Sequence, residues 1–264
     1  MLILTWLLAY HVGLFERADQ SIYSGFGGLR RPNVDPIAGF VASLCNPAPY
    51  ACFGAIPPFI AAVRRRPRLA LASLAILLGA NVTTELLKLI LAHPRAVSLL
   101  GGARSVGSAS WPSGHATAAM ALALSLILVA PARLRPLAAG LGALFAVAVS
   151  YSFLTLGWHY PSDVFGGFLV AGIWASLALA ALSTRWHRAG RRLDDVDRGS
   201  VRKALAPSGA IVLGALGLAG LIALARPHAV AAYTQAHTAF VVGAASIGAL
   251  GLALATGLML AFRR

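Results

Sequence analysis

Residues 134–183 read LRPLAAGLGALFAVAVSYSFLTLGWHYPSDVFGGFLVAGIWASLALAALS. Two apolar runs, 134–156 and 161–183, flank one short polar turn. Each run has the roughly 20 residues that a helix needs to cross a bilayer core. Further runs of that kind lie near 68–92, 114–131, 208–225 and 238–262. A weaker one covers 38–63, interrupted by Asn46, Pro47, Pro49, Pro57 and Pro58, and residues 1–15 form a shorter one. The residues of the short run lack the basic start and small-residue cleavage site of a signal peptide and read as a first membrane helix. The expectation is eight helices.

Composition agrees. Of 264 residues, 58% are hydrophobic and 11% charged, with mean hydropathy +0.76. A soluble domain carries about 25% charged residues. A water-soluble fold is excluded on that ground, as are intrinsic disorder and a coiled coil. Cys45 and Cys52 are seven apart, about 10 Å along a helix, which is beyond disulfide reach. Both read as packing residues.

The net charge of +14 could suggest nucleic acid, but the positions of the charges give another reading. Fifteen of the 22 Lys and Arg residues fall on one side: the turns 64–68 and 133–135, the segment 185–203 and the C-terminus. The other side holds Arg17, Arg30, Arg31, Lys88, Arg95, Arg104 and Arg226. The positive-inside rule makes the fifteen-residue side cytoplasmic, with both termini inside, and leaves no nucleic-acid role. The polar segment 184–204 divides the chain into a six-helix core, 1–183, and a two-helix extension, 205–264. The extension has small residues four apart, Ala210/Gly214 and Ala244/Gly248, a pattern suited to close helix packing. Its expected role is structural.

Ionisable residues near bilayer depth are functional candidates by default. Three clusters share the less basic side. Lys88 and Arg95 are seven apart, with Pro94 ending the helix near His93. Snorkelling to lipid head groups would explain them equally well, and Glu85 could pair with Lys88. Pro112-Ser113-Gly114-His115 stands where a helix begins. There Ser113 is a natural N-cap, and the following N–H groups can bind an anion. An ordinary cap explains the serine but not a histidine at the boundary. His159 and Asp163 are four apart, with Pro161 suited to the first turn of the next helix. A carboxylate there can fix one imidazole nitrogen and leave the other as nucleophile or base. The alternative is a capped helix start with an aspartate complementing the dipole.

Together these residues resemble the type-2 phosphatidic acid phosphatases, integral membrane lipid phosphatases whose site is shared with vanadium haloperoxidases and soluble acid phosphatases. The family pattern is K-x6-R-P, then P-S-G-H, then S-R-x5-H-x3-D. This chain has Lys88 and Arg95 followed by Ala96, the complete Pro112–His115 segment, and Ser152, His159 and Asp163. Phe153 stands where the family has arginine. The resemblance covers about residues 1–183 and implies an all-α polytopic bundle. It implies that His159 attacks phosphorus and forms a phosphohistidine, Asp163 orients it, and His115 serves as acid and then base. Lys88, Arg95, Ser113 and Gly114 would hold the phosphoryl oxygens, without metal or other cofactor. Phe153 cannot supply the arginine's charge. Arg104 is a candidate substitute, against the plainer reading of a solvated loop arginine. The implied substrate is an amphiphilic lipid phosphate, namely phosphatidate, phosphatidylglycerol phosphate or a polyprenyl (pyro)phosphate. It would enter from the outer leaflet of a bacterial plasma membrane. A phospho-head-group transferase and a non-catalytic lipid binder are the competing readings. Trp111 and Trp158 are expected at the membrane interface, and Tyr23, Phe26 and Leu29 suggest an interfacial helix.

Overall fold

The computed structural model describes residues 1–92, 106–183 and 198–262. These residues form eleven helices and, among the described residues, no strand. In chain order they are α1 (Leu2–His11), α2 (Gly13–Gly27), α3 (Asp35–Ser43), α4 (Pro47–Val63), α5 (Pro67–Leu91) and α6 (Gly114–Val129). There follow α7 (Arg135–Thr155), α8 (Pro161–Ser183), α9 (Arg198–Ala225), α10 (Pro227–Ala236) and α11 (Thr238–Ala261). Proline opens α4, α5, α8 and α10, where its fixed φ suits a first turn and its missing N–H costs nothing. Helices α5, α7, α8 and α11, with residues 206–225 of α9, are long and apolar enough to cross a membrane. The fold is therefore all-α and polytopic.

The core forms around α6. Its sequence, GHATAAMALALSLILV, is apolar on every face, and thirteen of its sixteen residues are buried. A helix apolar all round belongs in an interior. Its many alanines let α4, α5, α7, α8 and α11 pack around it. At Gly142 of α7, a Cβ would stand 2.9 Å from the Cβ of Ala123. At Gly167 of α8 it would stand 2.7 Å from the Ser113 carbonyl oxygen and 2.9 Å from the Thr117 nitrogen. Small residues that let backbones approach are the usual means of helix association in lipid, where apolar burial alone supplies little drive.

Two of the eight expected helices are divided. The run 1–15 breaks at Val12, which is extended, so that α1 has only ten residues and α2 begins at Gly13. At 1.5 Å per residue α1 is about 15 Å long, half a bilayer core. The run 38–63 breaks between Ser43 and Pro47, while Pro57 and Pro58 remain inside α4 and are buried. Helix α9 begins at Arg198, within the polar segment 184–204.

Helix α11 is part of the bundle. It packs on α2, α6, α7 and α8, and Ile247, Ala255 and Met259 are fully buried. Of the two small-residue pairs, Ala244/Gly248 meets Tyr151, whose hydroxyl donates to the Ala244 carbonyl at 2.6 Å. Ala210 is exposed and a Cβ on Gly214 would meet open space, because α9 approaches α7 instead through Ser208 and Ile211, opposite Gly140. The arginine turns share one end of the bundle. Arg64 donates to the Val129 carbonyl at the end of α6, and Arg135 to the Phe262 carbonyl at the end of α11. The histidines lie at the opposite ends of α6 and α8.

Candidate active site

The turn between α7 and α8 is built by its sequence. Gly157 has φ +74°, the left-handed region that glycine enters without strain. Its N–H donates to the Leu154 carbonyl at 3.0 Å, and the Trp158 N–H donates to the Phe153 carbonyl at 3.0 Å. This is the paired-bond helix ending that requires a left-handed residue at that position. The chain then reverses, and Pro161 starts α8. Asp163, fully buried, reaches back to accept from the Tyr160 N–H at 2.9 Å. The same oxygen lies 3.3 Å from His159 Nδ1. An ionised carboxylate only accepts, so Nδ1 carries the proton and Nε2 presents its lone pair.

Helix α6 starts in the same place. Ser113 caps it, its hydroxyl accepting from the Ala116 N–H at 3.3 Å. The N–H groups of Gly114 and His115 precede the first intrahelical bond, from Thr117 N–H to the Ser113 carbonyl. The Ser113 N–H donates to the Asp163 carbonyl at 2.9 Å, tying the two helix starts together, and Gly167 lets them touch. From α5, Lys88 Nζ lies 2.7 Å from Glu85 Oε1 and 3.2 Å from where a Cβ on Gly114 would stand. A bond of 2.9 Å between the Thr84 and Thr117 hydroxyls fixes α5 to α6 just below.

Lys88, Ser113, Gly114, His115, His159 and Asp163 therefore converge at one end of the bundle. Ser113 is fully buried and engaged as the cap. Arg95, Arg104 and His93 lie outside the described residues. Phe153, at the family's arginine position, is fully buried between the histidines. Its ring centroid is 5.2 Å from His159, edge to face, and 5.9 Å from His115. Trp158 is half-exposed and stands 5.7 Å from His115. Trp111, expected at the interface, is instead fully buried, with its indole against Gly166. Phe26 is also buried, between Tyr151 and Phe240.

Asp19, Tyr23 and Asn46 were not among the candidate site residues of the sequence. Asp19 of α2 is buried and accepts from the Ser162 N–H at 2.9 Å and the Ser162 hydroxyl at 2.7 Å. Tyr23, one turn later, donates to the Gly157 carbonyl at 3.3 Å. Helix α2 thus holds both ends of the His159 turn. The only signal for Asp19 was an acid in a chain with eight Asp and Glu. Asn46, ahead of α4, places Oδ1 3.0 Å from His115 Nε2. Nothing local in the sequence links residues 69 apart.

These features define a polytopic helical bundle in which two histidines meet at facing helix starts. The family model described as the PAP2 superfamily matches residues 69–187, and over that stretch the chain is similar to the superfamily. The match runs from α5 beyond the end of α8. It includes Lys88, Ser113, Gly114, His115, His159 and Asp163, and leaves out Asp19 and Asn46. A phosphatase-type activity is what this similarity supports. Neither the curated proteins nor the solved structures include a match.

Proposed function

We propose that the protein is a metal-independent membrane phosphatase acting on a lipid phosphate monoester or pyrophosphate through a phosphohistidine. The observation that carries this reading is the His159–Asp163 pair, with Nδ1 engaged, joined to the α6 start by the Ser113–Asp163 hydrogen bond. His159 Nε2 attacks phosphorus, and the bond to the leaving oxygen breaks as His115 gives that oxygen its proton. Water then attacks the phosphorus, His115 takes a proton from it, and the P–N bond breaks to release inorganic phosphate. Splitting one displacement into two is ordinary covalent catalysis. Lys88, Arg95 and the N–H groups of Gly114 and His115 stabilise the charge that develops on the equatorial oxygens. With Phe153 in place of a guanidinium, one such donor is lost, which costs on the order of 100- to 1000-fold unless Arg104 replaces it.

The arginine turns at the far end of the bundle support a site facing the extracytoplasmic side of a plasma membrane. Amphiphilic substrates would keep their chains in lipid. A second reading, transfer of the phosphoryl or phospho-head group to a lipid hydroxyl, is favoured by the rings of Phe153 and Trp158 beside His115. Such a wall disfavours water and suits an alcohol.

The test is phosphate release by purified protein in detergent with EDTA. The panel is phosphatidate, phosphatidylglycerol phosphate and undecaprenyl pyrophosphate, each with wild type and His159→Ala. Release that falls to background in the variant is the expected result. No release from any lipid by folded wild type, but a new phospholipid when an acceptor alcohol is added, would replace hydrolysis by transfer.

A further inference from the structure

Asn46 stands at the N-cap of α4, in the sequence Asn46-Pro47-Ala48-Pro49. An N-cap asparagine ordinarily accepts from the backbone N–H at the second or third helical position. Here the third is Pro49, which has no N–H, as is also true of Pro47 at the first. The Asn46 side chain makes no cap hydrogen bond. It faces across to α6 instead, with Oδ1 3.0 Å from His115 Nε2. The backbone carbonyl of Asn46 still begins α4 by accepting from the Tyr50 N–H at 2.9 Å, so the carboxamide is fixed to a rigid helix start.

We infer that Asn46 is a positioning residue for His115, holding the Nε2–H tautomer and presenting Nδ1 as the atom that gives and takes the proton. This rests on the function proposed above and adds a residue outside the matched stretch, 69–187. A carboxamide oxygen accepts from Nε2–H without adding charge. That matters because His115 must be protonated in the first displacement and neutral in the second. Lys88 with its partner Glu85 approaches the same helix start from α5, and His159 with Asp163 from the start of α8. From α4 the group that reaches the His115 ring is neutral. A carboxylate in its place would hold the imidazolium and hinder the second step, in which water loses its proton.

The experiment compares wild type, Asn46→Ala and Asn46→Asp, each checked for a monodisperse folded species in detergent. The first measurement is the pH profile of phosphate release from phosphatidate. The second is the ¹⁵N NMR tautomer signature of labelled His115, assigned with His115→Ala. Asn46→Ala should lower kcat on the order of 10- to 100-fold with KM within about twofold, the size expected when an orienting partner is removed. It should also abolish the Nε2–H preference. Asn46→Asp should keep the tautomer and move the alkaline limb of the profile upward by about one to three pH units, the effect of an adjacent opposite charge. Wild-type kcat in Asn46→Ala, or an unmoved limb in Asn46→Asp, would overturn the assignment. Should wild type turn over no lipid phosphate, the phosphatase reading falls. The NMR arm then decides the Asn46 contact alone: a tautomer lost in Asn46→Ala upholds it, and an unchanged one removes it.

Discussion

His159 and His115 flank the same phenyl ring and stand at the starts of neighbouring helices, but their partners differ in kind. His159 has a carboxylate four residues away, fully buried and shared with the Tyr160 N–H. His115 has a neutral carboxamide delivered from another helix. A buried carboxylate stabilises positive charge on the ring beside it, which suits a nitrogen that becomes bonded to phosphorus. A neutral partner fixes direction and leaves the proton exchangeable, which suits an acid that becomes a base. The roles proposed for the two rings agree with what holds them.

The largest effect that can test this contrast is expected from Asp163→Asn. The amide keeps the size of the side chain but removes its charge, and it can leave His159 in the wrong tautomer. A buried carboxylate in that relation to a catalytic histidine is worth on the order of 10⁴-fold in kcat. Phosphate release should fall by about that much at every pH. A loss smaller than tenfold would mean that Asp163 only caps α8, and the difference between the two histidines would disappear.

A smaller effect is expected where the two helix starts are pressed together. Gly167→Ala puts a methyl group against the Ser113 carbonyl and the Thr117 nitrogen, both backbone atoms that cannot step aside. Overpacking of this kind costs about 1–3 kcal/mol. The thermal midpoint in detergent should drop, and turnover should drop with it, since the shift separates His115 from His159. A variant with wild-type stability and wild-type turnover would show that the spacing of the histidines is not set at this seam.

The same contrast explains what could be read from the sequence. The four helices α5 to α8 were legible because each is one apolar run with proline or a cap at its start. His159 and Asp163 were legible because their interaction is local, at spacing four, and Ser113 because capping is local. The N-terminal part was less so. Val12 is neither proline nor glycine, yet the chain breaks there, and packing of α2 over the α8 start, through Asp19 and Ser162, is a tertiary cause. Asn46 carried half a signal, since the prolines after this N-cap asparagine leave its carboxamide only the Ala48 N–H of its two usual donors. The partner it finds instead is 69 residues away and has no trace in local pattern. Phe153 was legible as a departure, but its place between the two rings was not.

The smallest of these effects is expected from Asp19→Ala, which touches only the His159 half. Asp19 accepts both the backbone N–H and the hydroxyl of Ser162, and so caps α8 from another helix. Loss of a capping side chain costs about 0.5–2 kcal/mol. The thermal midpoint should fall modestly, with kcat reduced and KM little changed, because the cap lies beside the turn of the proposed nucleophile and not among the proposed phosphate donors. The tautomer signal of His115 should stay as in wild type, since Asn46 and α4 are untouched. If His115 also lost its preference, the two histidines would be held by one coupled framework through the Ser113–Asp163 bond, and their partners could no longer be treated as independent.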